Sequence, residues 1–351
     1  MRRVSRIAAA GVATAALAVS ATACGGTSSD AAGSKADGKH KGVAIAYDVG
    51  GKGDQSFNDA ATAGMDRAAK DLKVGKKAVE PTDGESDADK AQRLTELAKQ
   101  GYNPVIGIGY AYAPAVKEVA AKFPKTTFGI VDDATIEADN VADLVFNEEQ
   151  SSYLAGVAAA KATKTKTVGF IGGVNNNLIT KFEAGYVQGV KSVDPKIKIK
   201  RQRLTEKAED GGFSSPDKGK EGASGQIEDG ADVVYHAAGL SGQGVIEAAA
   251  AEKVWAIGVD SDQYKQKPLA KYKKYILTSA TKDVAGAVYN LAKSVQDGNA
   301  KGGVVRADLK SGGVALADSN PEFKKMKDLQ AAVEKAEQDI KSGKIKVKPT
   351  L

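Results

Sequence analysis

Two short stretches gather residues able to do chemistry. Asp54-Gln55-Ser56-Phe57-Asn58 follows a glycine-rich turn, Gly50-Gly51-Lys52-Gly53, at the point where a helix begins. An aromatic face beside a carboxamide suits a planar heterocycle. Asp54 or Ser56 equally well caps the helix, and Phe57 equally well joins the core. Val259-Asp260-Ser261-Asp262-Gln263 follows an apolar run directly. Two acids there either chelate vicinal hydroxyls or cap the next helix. Lys282, after Thr278-Ser279-Ala280-Thr281, is either a ligand contact or a solvated lysine.

Catalytic motifs come close and fail. Gly33-Ser34-Lys35-Ala36-Asp37-Gly38-Lys39-His40 has the shape of a phosphate loop but ends in His where Ser or Thr must reach magnesium. Gly107-Ile108-Gly109 opens like a dinucleotide fingerprint, yet Tyr112 fills the third glycine position. Neither a Gly-x-Ser-x-Gly elbow nor a His-Glu-x-x-His pair is present. His236, closing an apolar run, reads as a strand-end residue rather than a base. One Cys and two His argue against zinc, iron–sulfur and disulfide chemistry. No cofactor is expected, and binding is favoured over catalysis.

The N-terminus reads as an address. Arg2, Arg3 and Arg6 precede an uncharged stretch, Ile7–Val19, then Ser20-Ala21-Thr22-Ala23-Cys24. This is a secretory signal over residues 1–23. Its apolar part, about 20 Å long as a helix, is too short for a bilayer core of roughly 30 Å. The sole Cys falls where a bacterial lipobox requires it, so a diacylglyceryl group on Cys24 is expected. Residues 24–41 read as a lipidated tether, rich in Gly, Ser, Asp and Lys and without apolar periodicity. The expected location is the outer face of a bacterial cell membrane, held through the lipid alone. Formal charge is +6, or +3 without the three signal arginines, and gives no reason to expect nucleic acid.

Beyond the tether, 42% apolar and 27% charged residues describe an ordinary globular body. Short apolar runs alternate with helical segments. Val43–Tyr47, a strand near Val79, Val105–Ile108, Thr127–Val131 and Val141–Phe146 form a first set; helices are expected at Phe57–Lys70, Asp87–Lys99 and from Pro114. A second set follows a helix ending at Ala162: Thr167–Ile171, Ile197–Leu204, Val233–Tyr235, Val254–Gly258 and Tyr275–Leu277, with a helix at Lys181–Val193. This rhythm predicts α/β architecture, two doubly wound parallel-sheet lobes dividing near Phe146–Gln150. In such sheets ligands sit beyond the carboxyl ends of strands. Those ends are the loops Asp48–Phe57, Gly109–Ala113 with Tyr110, Gly172–Thr180, Ala237–Gly244 and Asp260–Gln263.

An ordered set of motifs then carries a resemblance. Cys24, Asp54-x-Ser56-Phe57-Asn58, Gly169-Phe170-Ile171-Gly172-Gly173, Phe182-x-x-Gly185-Tyr186-x-x-Gly189, Ala237-Ala238-Gly239-x-x-Gly242-x-Gly244 and Val259-Asp260-Ser261-Asp262-Gln263 together resemble the basic membrane protein family of substrate-binding lipoproteins, which includes purine nucleoside receptors. The resemblance implies a type I periplasmic-binding fold with three hinge crossings. Its lobes would be 42–147 plus about 282–302, and 148–281 plus about 303–351. It implies a monomer that binds a purine nucleoside and delivers it to an ABC permease. Phe57 would supply one stacking ring, with Asp48 and Asn58 near the base, and Asp54 and Tyr110 are further expected ligand contacts. Asp260 would hold the ribose hydroxyls with Lys282 beside them. Phe182 and Phe213 both qualify as the opposing ring, Phe213 being preferred. The competing readings are a sugar- or amino-acid-binding lipoprotein of the same fold, a sensor for a membrane kinase, and a nucleoside-processing enzyme.

Overall fold

A computed structural model describes residues 40–351. The signal segment, Cys24 and nearly all of the tether lie outside the described residues.

The first run of elements is β1 (Gly42–Ala46), α1 (Phe57–Leu72), β2 (Gly75–Val79), α2 (Asp87–Lys99), β3 (Val105–Gly107), α3 (Ala113–Lys122), β4 (Phe128–Val131) and β5 (Val141–Phe146). A second run follows with α4 (Glu148–Ala162), β6 (Thr167–Val174), α5 (Asn177–Val193), β7 (Lys198–Thr205), α6 (Pro216–Glu228), β8 (Val233–Ala237), α7 (Ser241–Ala251), β9 (Trp255–Asp260) and β10 (Ile276–Lys282). The chain ends through α8 (Val284–Gln296), β11 (Gly303–Ala307), β12 (Val314–Leu316), α9 (Pro321–Lys325) and α10 (Lys327–Lys341).

Two six-stranded sheets result. Their orders are β11-β5-β4-β3-β1-β2 and β12-β10-β9-β8-β6-β7. Every pairing is parallel except that of β10 with β12. The chain passes between the sheets three times: after Phe146, after Lys282 and after Ala307. This is the expected doubly wound, two-lobed architecture.

Period-two alternation shows why β1 sits inside its sheet, between β3 and β2. Ala44 and Ala46 pack with Leu94, Leu97, Val116 and Val119 of α2 and α3, while Val43 and Ile45 join the core containing Met65 and Leu291 on the other face. A strand covered on both sides must read as a continuous apolar run. In the second lobe α4 and α5 lie almost in backbone contact. A Cβ on Gly185 or Gly189 would fall 2.1 or 2.0 Å from the carbonyl oxygen of Glu149 or Tyr153. That packing explains two glycines of the Phe182–Gly189 motif.

Three boundaries differ from expectation. β6 runs on to Val174, and α5 starts at Asn177 rather than Lys181 because the Asn176 side chain accepts the Ile179 N–H and caps it. Gly303–Ala307 pairs with β5, so the last crossing falls after Ala307 instead of near residue 302. That strand is an edge with an exposed middle, Val304, Val305 and Arg306, and lacks the buried run that marks the central strands.

Candidate functional site

Between the lobes, at the carboxyl ends of β1, β4, β8 and β9, lies a partly open cavity. Asp48, Asp54, Phe57, Asn58, Tyr110, Phe182, Phe213, Asp260 and Lys282 all line it; Asp262, the second acid of its stretch, does not, and its carboxylate is instead held by Ser319 and Lys265. Asp132 and a small apolar patch around Ile179 complete the wall.

The first lobe's side is built around the end of β1. The Asn58 amide grips the Asp48 peptide unit from both sides: its Oδ1 accepts the Asp48 N–H at 3.1 Å, and its Nδ2 donates to the Asp48 carbonyl at 3.4 Å. Behind it, Arg93 donates to the Tyr112 hydroxyl, which donates at 3.0 Å to the Tyr47 carbonyl. Asp48 is therefore fixed in place while its carboxyl reaches the cavity. Burial pushes that carboxyl up to about 7, against the opposing pull of the Val49 N–H. Tyr110 is raised as well, by burial first and by the Asp48 charge second.

Asp54 behaves as a helix cap. Its two oxygens accept the backbone N–H groups of Ser56, Asn58 and Asp59 at 3.0, 2.8 and 3.1 Å. Burial still lifts it to about 6, those hydrogen bonds opposing. Its oxygens are committed to the first turn of α1, although the residue borders the cavity. Phe57, three residues on, is only half-buried and lines the cleft.

Lys282 stands at the second crossing with its ammonium buried. Its Nζ lies 2.7 Å from Asp132 Oδ2, 3.7 Å from Glu148 Oε1 and 3.8 Å from Asp260 Oδ1. The rings of Phe57, Phe146 and Phe182 surround it at 4.8, 5.5 and 5.5 Å from their centroids. Burial alone would neutralise such an amine; the three carboxylates outweigh it and hold the lysine well above its ordinary value. The acids respond in turn. Glu148 is pushed up to about 7 by burial, with Lys282 opposing, and Asp260 is raised by the same balance. Asp132 and Asp260 occupy matching places, one at the end of each lobe's strand, and both adopt left-handed backbone at φ 69° and 61°. Such strain in non-glycine residues persists where surrounding contacts over-determine it.

The second lobe's side is more apolar. Gly173 lets the Phe213 ring lie on backbone, since a Cβ there would sit 2.4 Å from the ring. Phe182 belongs to the box around Lys282, whereas Phe213 lines the opposite part of the wall. The asparagines of the adjoining loop have structural partners: Asn176 caps α5, and Asn175 donates to Glu206 at 3.0 Å. His236 does not line the cavity; it is buried against Gln263 and depressed to about 4 by desolvation.

Sequence reasoning missed Asp132 and Glu148. Asp132 directly follows Thr127–Val131, so the strand-end rule that found Asp48 and Asp260 applied to it too. Glu148 carries no such signal, because its place depends on where the first crossing turns. Among the described residues no group of His, Cys, Asp and Glu is arranged to hold a metal ion, and no helix is long and apolar enough to cross a membrane.

Comparison with known proteins gives the family. The family described as ABC transporter substrate-binding protein PnrA-like matches residues 41–350. The chain is 39% identical over 321 residues to the ABC transporter nucleoside-binding protein BmpA of Lactococcus lactis, covering 87% of this chain and 88% of that protein. It is 33% identical to an uncharacterized lipoprotein of Pyrococcus abyssi, over 81% of this chain and 71% of that one. An ABC transporter solute-binding protein of Aeropyrum pernix superposes with a TM-score of 0.75 at 29% identity, covering 87% of this chain and 92% of that one.

Proposed function

Because the chain belongs to the PnrA-like family of ABC transporter substrate-binding proteins, we propose that its cavity captures a nucleoside, purine nucleosides foremost, and delivers it to an importer from a lipid anchor on Cys24. The observation that carries this reading is the division of the cavity. Phe57 and Phe213 offer ring faces, Asp48 a carboxyl that changes state near neutrality, and Asp132 and Asp260 a pair of carboxylates steadied by Lys282. A nucleoside has the matching parts, a planar base with polar edges and a vicinal diol. Base–aromatic stacking contributes roughly 1–3 kcal/mol per ring. Carboxylate–hydroxyl hydrogen bonds add about 1.5–3 kcal/mol each. Together they support micromolar to nanomolar affinity after the cost of ordering the lobes. Capture of this kind needs no covalent step.

The name of the Lactococcus lactis relative supports the nucleoside reading over a free sugar. The test is titration calorimetry with inosine, guanosine, adenosine, uridine and ribose. Purine nucleosides binding at least tenfold more tightly than ribose is the expected result. Ribose binding as tightly as inosine would replace the ligand class.

A further inference from the structure

One edge of the cleft is bridged directly by the protein. Gln55 and Ser56 of the first lobe meet Val259–Gln263 of the second. Ser56 Oγ donates to Asp260 Oδ2 at 2.6 Å and lies 3.2 Å from the Val259 carbonyl. Ser261 Oγ donates to the Ser56 carbonyl at 2.8 Å, and Gln263 Nε2 donates to the Gln55 carbonyl at 3.3 Å. Gln55, Ser56, Ser261 and Gln263 are all absent from the cavity lining.

The second lobe holds its half of this bridge rigid. Gln263 Oε1 accepts the Val259 N–H at 3.1 Å and faces His236 Nε2 at 3.0 Å, so His236 is the donor and carries its proton on Nε2. The Gln263 N–H donates to Ser279 Oγ at 3.1 Å. Space for this pair exists because two neighbours are glycine: a Cβ on Gly258 would fall 2.4 Å from Gln263 Oε1, and one on Gly242 would fall 2.0 Å from His236 Cε1. With its oxygen held from two sides, the Gln263 amide has its N–H turned to the first lobe. Both partners also carry strained backbone, Gln55 at φ 54° and Asp260 at φ 61°.

We propose that Ser261 and Gln263, backed by His236, form a clasp that sets how long the lobes stay shut, and so how fast captured ligand leaves. They are positioning residues, acting on the first lobe's backbone rather than on ligand. Their effect belongs to dissociation, because the bridge must break before the cleft opens, while the encounter of ligand with an open cleft does not involve it. The expectation that a nucleoside is the cargo rests on the preceding reading; the clasp itself does not.

The test uses Ser261→Ala and Gln263→Ala in the chain from residue 25 onward, which retains both lobes. Stopped-flow release and association rates are measured with inosine, guanosine and adenosine, together with small-angle scattering of the ligand-free proteins. Release is expected to quicken about tenfold, by the same factor for every ligand, with association no slower than the parent's, since the ligand-free variants spend less time shut. Ligand-free scattering should shift toward a larger radius of gyration. Unchanged release, or a factor that differs between ligands, would overturn the clasp. Where no nucleoside binds the parent, the cargo assignment fails, and scattering alone decides: an unshifted radius in both variants rejects the clasp. Thermal unfolding and circular dichroism identify a variant that has simply misfolded. Gln263→Glu then serves in its place, since it keeps the side chain's size and removes the donor.

Discussion

The two lobes reach the cleft by the same construction and present different chemistry there. Each ends its central strands at the cavity, and each turns one acid, Asp132 or Asp260, into left-handed backbone facing Lys282. The first lobe then adds polar groups under tight control: Asp48 gripped by Asn58, and Asp54 capping α1. The second adds apolar surface: Phe213 against Gly173, with Ile179 nearby. One wall is suited to reading edges and the other to holding a face. The hinge cation is shared between them, which makes Lys282 the point where the comparison is most easily broken.

Lys282→Met should have the largest effect. It leaves Asp132, Glu148 and Asp260 buried together without their cation, and removing one partner of a buried ion pair costs about 3–5 kcal/mol. Chemical denaturation at pH 8 should report that loss, and the loss should shrink at pH 5, where Glu148 takes up a proton. Equal losses at both pH values would contradict the charge balance described.

The polar side should also govern the response of stability to pH. Asp48 and Glu148 titrate near 7 in the fold against ordinary values of 3.8 and 4.5. An acid raised by folding binds more protons in the native state. Its contribution is complete below the ordinary value and is lost as pH rises through 7. Stability should therefore fall between about pH 4.5 and 7.5, and Asp48→Asn or Glu148→Gln should each flatten that slope. A slope untouched by both substitutions would place the titrating group elsewhere.

Ligand binding sharpens the contrast. Phe57→Ala and Asp260→Ala should each weaken a purine nucleoside at least tenfold, about 1.4 kcal/mol. A 2′,3′-dideoxynucleoside should be sensitive to Phe57→Ala and nearly indifferent to Asp260→Ala. Calorimetry in which both variants bind like the parent would remove the site from this cavity.

Asp54→Ala should do least to binding. It removes a cap worth about 1 kcal/mol, seen as a melting temperature lower by a few degrees with affinity within threefold. A tenfold loss of affinity would make Asp54 a contact after all.

What the sequence disclosed and what it concealed follow from the same physics. α2 and β5 are legible to the residue because local signals bound them: Ser86 with Asp89 forms a capping box, and Val141–Phe146 is an unbroken apolar run between polar loops. Strand-end logic located Asp48 and Asp260. Two things lay beyond such signals. The first is β11, whose pairing with β5 depends on a chain that leaves for the other lobe and returns some 150 residues later. The second is the character of each polar group once placed. Asp54 as cap, Asn58 as clamp on Asp48, and Glu148 as a third acid on Lys282 depend on distances no spacing reveals.

The most direct measurement is a crystal structure of the chain saturated with inosine. The account predicts the hypoxanthine ring against Phe57 and Phe213, with its edge toward Asp48, and the ribose diol within hydrogen-bond distance of Asp132 or Asp260. Inosine seated outside this cavity, or inside it with the sugar against the rings and the base at Lys282, would contradict it.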